Sequence, residues 1–274
     1  MTSNNYWETE ISTTTENEIR IRGYDLTEMI GAIPFSQLVY LMFKGELPSP
    51  AIGQVMDALL VASIDHGPGS PSVLAARTAA SGGAPLKNAA MAGLLALDRF
   101  HGAAIEECMG ILNRVVLLSQ VEFRGSNIDQ AAEIVVKKIR GNGERVPGFG
   151  HRQHLQDPRV NKLFDMTLKA GVQGAHIQAA LAISTILRDL FDKEIPINID
   201  GAVAAILCEL QFPEGLGNAP FLISRFTSLL AHSFEEIEKM PRMRRIDPLN
   251  FGYSGPAARE IPNQSIFIKD EELK

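Results

Sequence analysis

Apolar positions along most of this chain recur every three or four residues, the spacing that gathers them on one face of a helix. Ile52, Val55, Met56, Leu59 and Leu60 show it over residues 51–64. The same periodicity predicts helices over 37–44, 85–100, 105–120, 160–169, 175–191 and 220–239, with an alanine-rich one over 73–81. Asn127 is placed to cap a further helix running to residue 139. Period-two alternation is confined to residues 6–22, where Trp7, Thr9, Ile11 and Thr13, then Ile19 and Ile21, predict a small hairpin around a polar turn. Asp25 and Glu28 read as a capping box opening a short helix that Pro34 interrupts. Ser36 is placed to cap the next helix, which stops at Gly45. Strands and helices do not alternate, so the expected class is all-α, predominantly helical.

The breaks between helices carry the candidate chemistry. His66 lies in Asp65-His66-Gly67-Pro68-Gly69, His101 in His101-Gly102-Ala103-Ala104, and His151 in the stretch from Arg145 to Arg159. Three of six histidines at Gly-flanked breaks is more than structural placement alone predicts. Gly148 and Gly150 flank Phe149 and let backbone approach a bound molecule closely. Asp157 is a candidate N-cap with Pro158 in the first turn. Arg152 and Arg159 suit a grip on carboxylate or phosphate. Residues 193–199, interrupted by Pro196, are expected to be extended and to deliver Asp200 to an apolar helix over 202–210. Burial there raises a carboxyl pKa. Asp200 is also a candidate N-cap, and the two roles are compatible.

Composition narrows the partners. The 274 residues are 45% hydrophobic and 21% charged, as in an ordinary globular protein, and the net charge of −6 argues against nucleic acid. The one dense basic cluster is Arg242-Met243-Arg244-Arg245. No apolar run reaches the roughly 18–20 residues of a membrane span, and no secretion signal is recognisable, so a cytoplasmic protein is expected. Cys108 and Cys208 fall inside apolar patterns and are expected to be buried. Without metal-ligand spacing of Cys and His, no metal is expected.

Seven pieces, in order, carry a resemblance to the citrate synthase superfamily, and most of all to its short citryl-CoA lyase branch. They are Ile21-Arg22-Gly23-Tyr24, Gly45-Glu46-Leu47-Pro48, Asp65-His66-Gly67-Pro68, Asp98-Arg99-Phe100-His101-Gly102-Ala103, Pro147-Gly148-Phe149-Gly150-His151-Arg152, Asp157-Pro158-Arg159 and Asn198-Ile199-Asp200-Gly201. The Asp65-His66-Gly67-Pro68 and Asp98-Arg99-Phe100 wording resembles the lyases more than the synthases, as does the chain length. The resemblance implies a large domain of residues 1–104 and 205–274, and a small coenzyme A-binding domain of residues 105–204. It also implies a homodimer or higher homo-oligomer with sites shared between subunits. Asp200 matches the carboxylate acting at the acetyl methyl carbon, His101 the donor to the enolate oxygen, and His151 the acid/base on the oxaloacetate oxygen. His66, Arg159 and Arg225 match dicarboxylate ligands. The arginine lent by the neighbouring subunit lies among Arg242, Arg244 and Arg245, with Arg245 standing for the cluster. Pro147, Gly148, Phe149, Gly150 and Arg152 match the coenzyme A loop. Leu155 stands where the family often has a basic side chain, so phosphate contacts are expected from Arg152, Arg145, Lys137 or Lys138.

The implied reaction is cleavage of citryl-CoA to acetyl-CoA and oxaloacetate, with the coenzyme A thioester as substrate and no tightly bound cofactor. Citrate synthesis, cleavage of a related 3-hydroxy-3-carboxyacyl-CoA, and a non-catalytic regulatory paralogue are the alternatives.

Overall fold

The computed structural model describes residues 8–98, 101–102, 104–125, 127–150, 157–172, 174–245, 252 and 254–259. Eleven α-helices are found among them, preceded by a small antiparallel sheet. The expected hairpin is there as β1 (Ser12–Thr14) and β2 (Ile19–Ile21), with Thr13 opposite Arg20. A third strand, β3 (Tyr24–Asp25), adds to β2. Period-two alternation could not signal a strand two residues long.

Asp25 caps α1 (Leu26–Met29) by accepting from the Thr27 N–H, without a return bond from Glu28. The next helix, α2 (Phe35–Lys44), begins ahead of Ser36, which is buried inside it rather than capping it. Its end is as expected, with Gly45 at φ +83°. Ser49 caps α3 (Pro50–Ser63), and α4 (Pro71–Ser81) and α5 (Leu86–Leu95) follow. The last of these ends earlier than its periodicity suggests, because Asp98 and His101 pair their backbones in a tight turn.

Beyond that turn come α6 (Ala104–Phe123), α7 (Ile128–Gly141), α8 (Pro158–Lys169), α9 (Ala175–Phe191), α10 (Ile199–Glu209) and α11 (Ala219–Lys239). The helices form two packed groups. In one, α4, α5 and α11 pack on one another, with α2 joined through α3. In the other, α6 to α10 pack around α10. Helix α3 touches both groups through α8, α10 and α11.

Alanine and glycine set the closeness of α4 and α5. A Cβ on Gly93 would stand 2.7 Å from the Ser72 carbonyl oxygen, so no larger residue fits without moving a helix. Helix α10 is apolar on every face, and Ala202, Val203, Ala204, Ala205, Ile206, Leu207 and Cys208 are all buried. A helix without a polar face can only sit in the middle of others. Cys108 and Cys208 are buried free thiols, as expected, and burial pushes the Cys208 thiol up to about 12. Among the described residues, no helix is long and apolar enough to cross a membrane.

Candidate active site

Asn198 caps α10, accepting from the Gly201 N–H at 3.2 Å, so Asp200 lies in the first turn and is not the cap. Two influences oppose each other at its carboxyl. The helix N-terminus and the nearby Arg159 and Arg225 favour the anion, while burial and the Asp157 carboxylate favour the acid. Burial wins, and the Asp200 pKa rises to about 6. The reason lies in the sequence of α10 itself, whose apolar faces draw its first turn into the protein.

The loop Pro147-Gly148-Phe149-Gly150 is fastened to the chain that delivers Asp200. The Asn198 N–H donates to the Gly148 carbonyl at 3.1 Å, and its side-chain amide to the Gly150 carbonyl at 2.9 Å. The Gly150 N–H donates to the Pro196 carbonyl at 2.7 Å, and Phe149 bridges Ile197. A Cβ on Gly201 would stand 2.3 Å from the Gly148 oxygen, and one on Gly148 would stand 2.7 Å from the Cys108 sulfur. The close approach that Gly148 permits is therefore to α6 and α10. Gly150 is less crowded: among the described residues, a Cβ there would meet Ile195 alone, at 3.6 Å.

His101 closes a different helix. Its Nε2 accepts the Ser72 backbone N–H at 3.2 Å and lies 2.8 Å from the Ser72 hydroxyl, at the start of α4. A neutral imidazole that accepts at Nε2 carries its ring proton on Nδ1. Ser70 occupies the N-cap position, yet its buried hydroxyl has no hydrogen-bond partner among the described residues. His101 does the capping instead. Gly102, at φ +75°, brings the turn against Phe221, where a Cβ would stand 2.6 Å from the ring.

Arg225 stacks on the same ring, its guanidinium carbon 5.0 Å from the centroid. It is almost wholly buried on α11, its Nε donates to the Ser63 carbonyl at 3.2 Å, and its Nη1 has no partner among the described residues. Burial lowers its pKa, and so does Arg159, whereas Asp65 and Asp200 raise it. Arg159 is held by the buried carboxylate of Asp157, Nε to Oδ1 at 2.9 Å and Nη2 to Oδ2 at 2.7 Å, and donates Nη1 to the Ala62 carbonyl. Asp157 also caps α8, as expected.

Asp200, Arg159 and Arg225 are thus brought within electrostatic reach of one another from three helices. His66 is half-buried in the turn after α3. His151 and Arg152 lie outside the described residues. Within the basic cluster, Arg244 is bound to the buried Glu236 of its own chain, while Arg242 and Arg245 are exposed. Of the other cations considered for phosphate, Lys137 pairs with Glu133 and Arg145 is exposed. Sequence reasoning missed Asp157 as the partner of Arg159 and Ser72 as the partner of His101. The two-residue spacing of Asp157 and Arg159 was a usable signal, whereas Ser72 had none. A cavity of about 660 Å³ between α2, α3 and α8 borders this region only through Arg159 and includes neither Asp200 nor Arg225. No group of His, Cys, Asp and Glu among the described residues could hold a metal ion.

Residues 48–246 match the family model of the citrate synthase C-terminal domain, and the chain belongs to the citrate synthase family. Among solved structures, citryl-CoA lyase from Hydrogenobacter thermophilus is 35% identical, with 94% of this chain and 98% of that one covered and a TM-score of 0.83. An ATP citrate lyase from Methanosaeta concilii, in complex with (3S)-citryl-CoA, shares the fold at 18% identity and a TM-score of 0.81, over 94% of this chain and 43% of that one. A putative citrate synthase 2 of Mycobacterium tuberculosis is 28% identical over 79% of this chain and 55% of its own length. This chain spans about half the length of the citrate synthases it matches.

Proposed function

We propose that this protein cleaves citryl-CoA to acetyl-CoA and oxaloacetate. The observation that carries the reading is the Asp200 carboxyl, raised to about 6 within electrostatic reach of Arg159 and of a buried Arg225 whose Nη1 has no partner among the described residues. Two guanidiniums beside one acid suit a substrate with carboxylates near the reacting carbon. The 35% identity to a citryl-CoA lyase over nearly its whole length supports the same choice.

In this reading His66, Arg159 and Arg225 hold the carboxylates, joined by Arg245 from a second subunit. Pro147, Gly148, Phe149, Gly150 and Arg152 receive coenzyme A. His151 takes the proton of the tertiary hydroxyl as the carbon–carbon bond breaks, leaving oxaloacetate. The bonding pair passes to acetyl-CoA as its enolate, whose oxygen is met by the Nδ1–H of His101. A preorganised donor of this kind is worth on the order of 100- to 1,000-fold in rate. Asp200, as the acid, then protonates the enolate carbon; the proton held by His151 returns to solvent and Asp200 takes one up, so no net proton is released. A pKa of about 6 keeps a useful acid fraction near neutrality, which an ordinary aspartic acid does not have.

The two helix groups would be the lobes that close on substrate. Their packing favours a change of lobe after α10, rather than inside it at residue 204. A homodimer is proposed through α4 and α5, where Leu74, Leu86, Met91 and Leu95 are exposed. A cytoplasmic location is proposed with it. Citrate synthesis is the second reading, favoured by the citrate synthases among the relatives.

Purified protein given citryl-CoA, with oxaloacetate, citrate and free coenzyme A followed separately, tests the reading. Oxaloacetate with acetyl-CoA and no free coenzyme A is expected. Citrate with free coenzyme A would point to the synthase, and neither product would end citrate chemistry here.

A further inference from the structure

One face of α11 carries Ser224, Arg225, Ser228 and His232, and all four bond to the end of α3 or the turn after it. The Ser224 hydroxyl donates to the Leu60 carbonyl and the Arg225 Nε to the Ser63 carbonyl. Ser228 Oγ donates to Asp65 Oδ1 at 2.6 Å, and His232 Nε2 lies 3.2 Å from the same oxygen. A carboxylate only accepts, so the His232 proton in this pair is on Nε2. The other oxygen, Oδ2, accepts the Gly67 N–H at 2.9 Å and closes the turn around His66, with Gly67 at φ +82°.

From this geometry we infer that Asp65 and His232 are positioning residues for the dicarboxylate end of the site. The inference rests on the proposed function, which does not use either residue. Asp65 acts in two directions. Through Gly67 it fixes the turn that carries His66. Through its charge it favours the buried Arg225 guanidinium, which faces Arg159 as well. Burial alone would raise the Asp65 carboxyl, but its bonds from Ser228, Gly67 and His232 bring it down to about 2. The carboxylate therefore stays an anion through the range in which an enzyme works. His232 orients that anion from one turn further along α11. Ser228 shares the same oxygen, so loss of His232 loosens the carboxylate without removing it.

The test uses the intact protein and three variants, His232→Leu, His232→Gln and Asp65→Asn. Two readouts are needed: steady-state kinetics with citryl-CoA, and amide hydrogen exchange across residues 64–69. His232→Leu should speed exchange in that segment and raise KM roughly tenfold, as expected for one charge-assisted bond, with kcat changed much less. His232→Gln, which can still donate to Asp65, should recover most of the affinity. Asp65→Asn should resemble His232→Leu with a larger KM effect. Exchange unchanged in His232→Leu would overturn the inference, and so would a fall in kcat at constant KM. Should the wild type leave citryl-CoA uncleaved, the proposed function fails by itself. The exchange arm, with citrate binding in place of KM, still decides whether His232 and Asp65 position this site.

Discussion

Arg159 and Arg225 donate to neighbouring carbonyls at the end of one helix, Nη1 of Arg159 to Ala62 at 3.1 Å and Nε of Arg225 to Ser63 at 3.2 Å. Those carbonyls belong to the last turn of α3, where a helix leaves acceptors unsatisfied and its dipole is negative. Two cations that repel each other are thereby held side by side. Asp157 balances one and Asp65 the other.

Arg225→Lys keeps the charge and loses both the Nε bond to Ser63 and the planar fork. Its KM for citryl-CoA should rise by roughly tenfold or more, while the fold survives. Steady-state kinetics beside a thermal melt check this, and an unchanged KM would remove Arg225 from the carboxylate site.

Asp200→Asn should abolish turnover and stabilise the protein at neutral pH. The folded-state pKa of Asp200 is raised from 3.8 to about 6, so its stability contribution is whole below about pH 4 and is lost as pH rises through 6. Removing the charge should recover up to about 3 kcal/mol at pH 7, less to the degree that water reaches the carboxyl. Denaturant unfolding at pH 7 and pH 4 should show the gain only at pH 7. The pKa also orders the two reactions. Cleavage needs the acid, so its rate should fall as pH passes 6, whereas condensation needs the base and should gain.

Gly201→Ala and Gly150→Ala separate packing from loop conformation. The first drives a methyl into the Gly148 carbonyl, which must shift, at about 1–3 kcal/mol, carrying the loop proposed to receive coenzyme A away from Asp200. The second, at φ +80° and meeting Ile195 at ordinary contact distance among the described residues, should cost only about 1–2 kcal/mol of backbone strain. Coenzyme A affinity should fall more for Gly201→Ala, and equal losses would mean that the contact with α10 does not shape the loop.

Arg244 and Arg245 should behave as opposites. Glu236 is buried and accepts from both Arg77 and Arg244, so Arg244→Ala should destabilise the chain. Arg245→Ala should leave the melt unchanged and remove activity. Mixing Arg245→Ala with Asp200→Asn subunits should then restore turnover, because one of the sites formed carries both residues. No recovery on mixing would place Arg245 outside the neighbouring site.

The sequence by itself determined the helical class, most helix limits and the identities of the chemical groups. Those features are local: periodicity, a cap such as Asp157 or Asn127, and a Gly45 stop act within a few residues. Even the raised pKa of Asp200 was foreseeable, because an apolar helix on every face has to be buried. The tertiary structure alone decided which neighbours hold those groups in place. Nothing in the chain links Gly148 to Gly201, Ser72 to His101, or Ala62 and Ser63 to two distant arginines. It also decided that Ser36 is buried rather than a cap, that β3 exists, and that Arg244 turns back to Glu236. Such pairings are fixed by how whole helices stack, and no pattern within a single helix encodes the neighbour it will pack against.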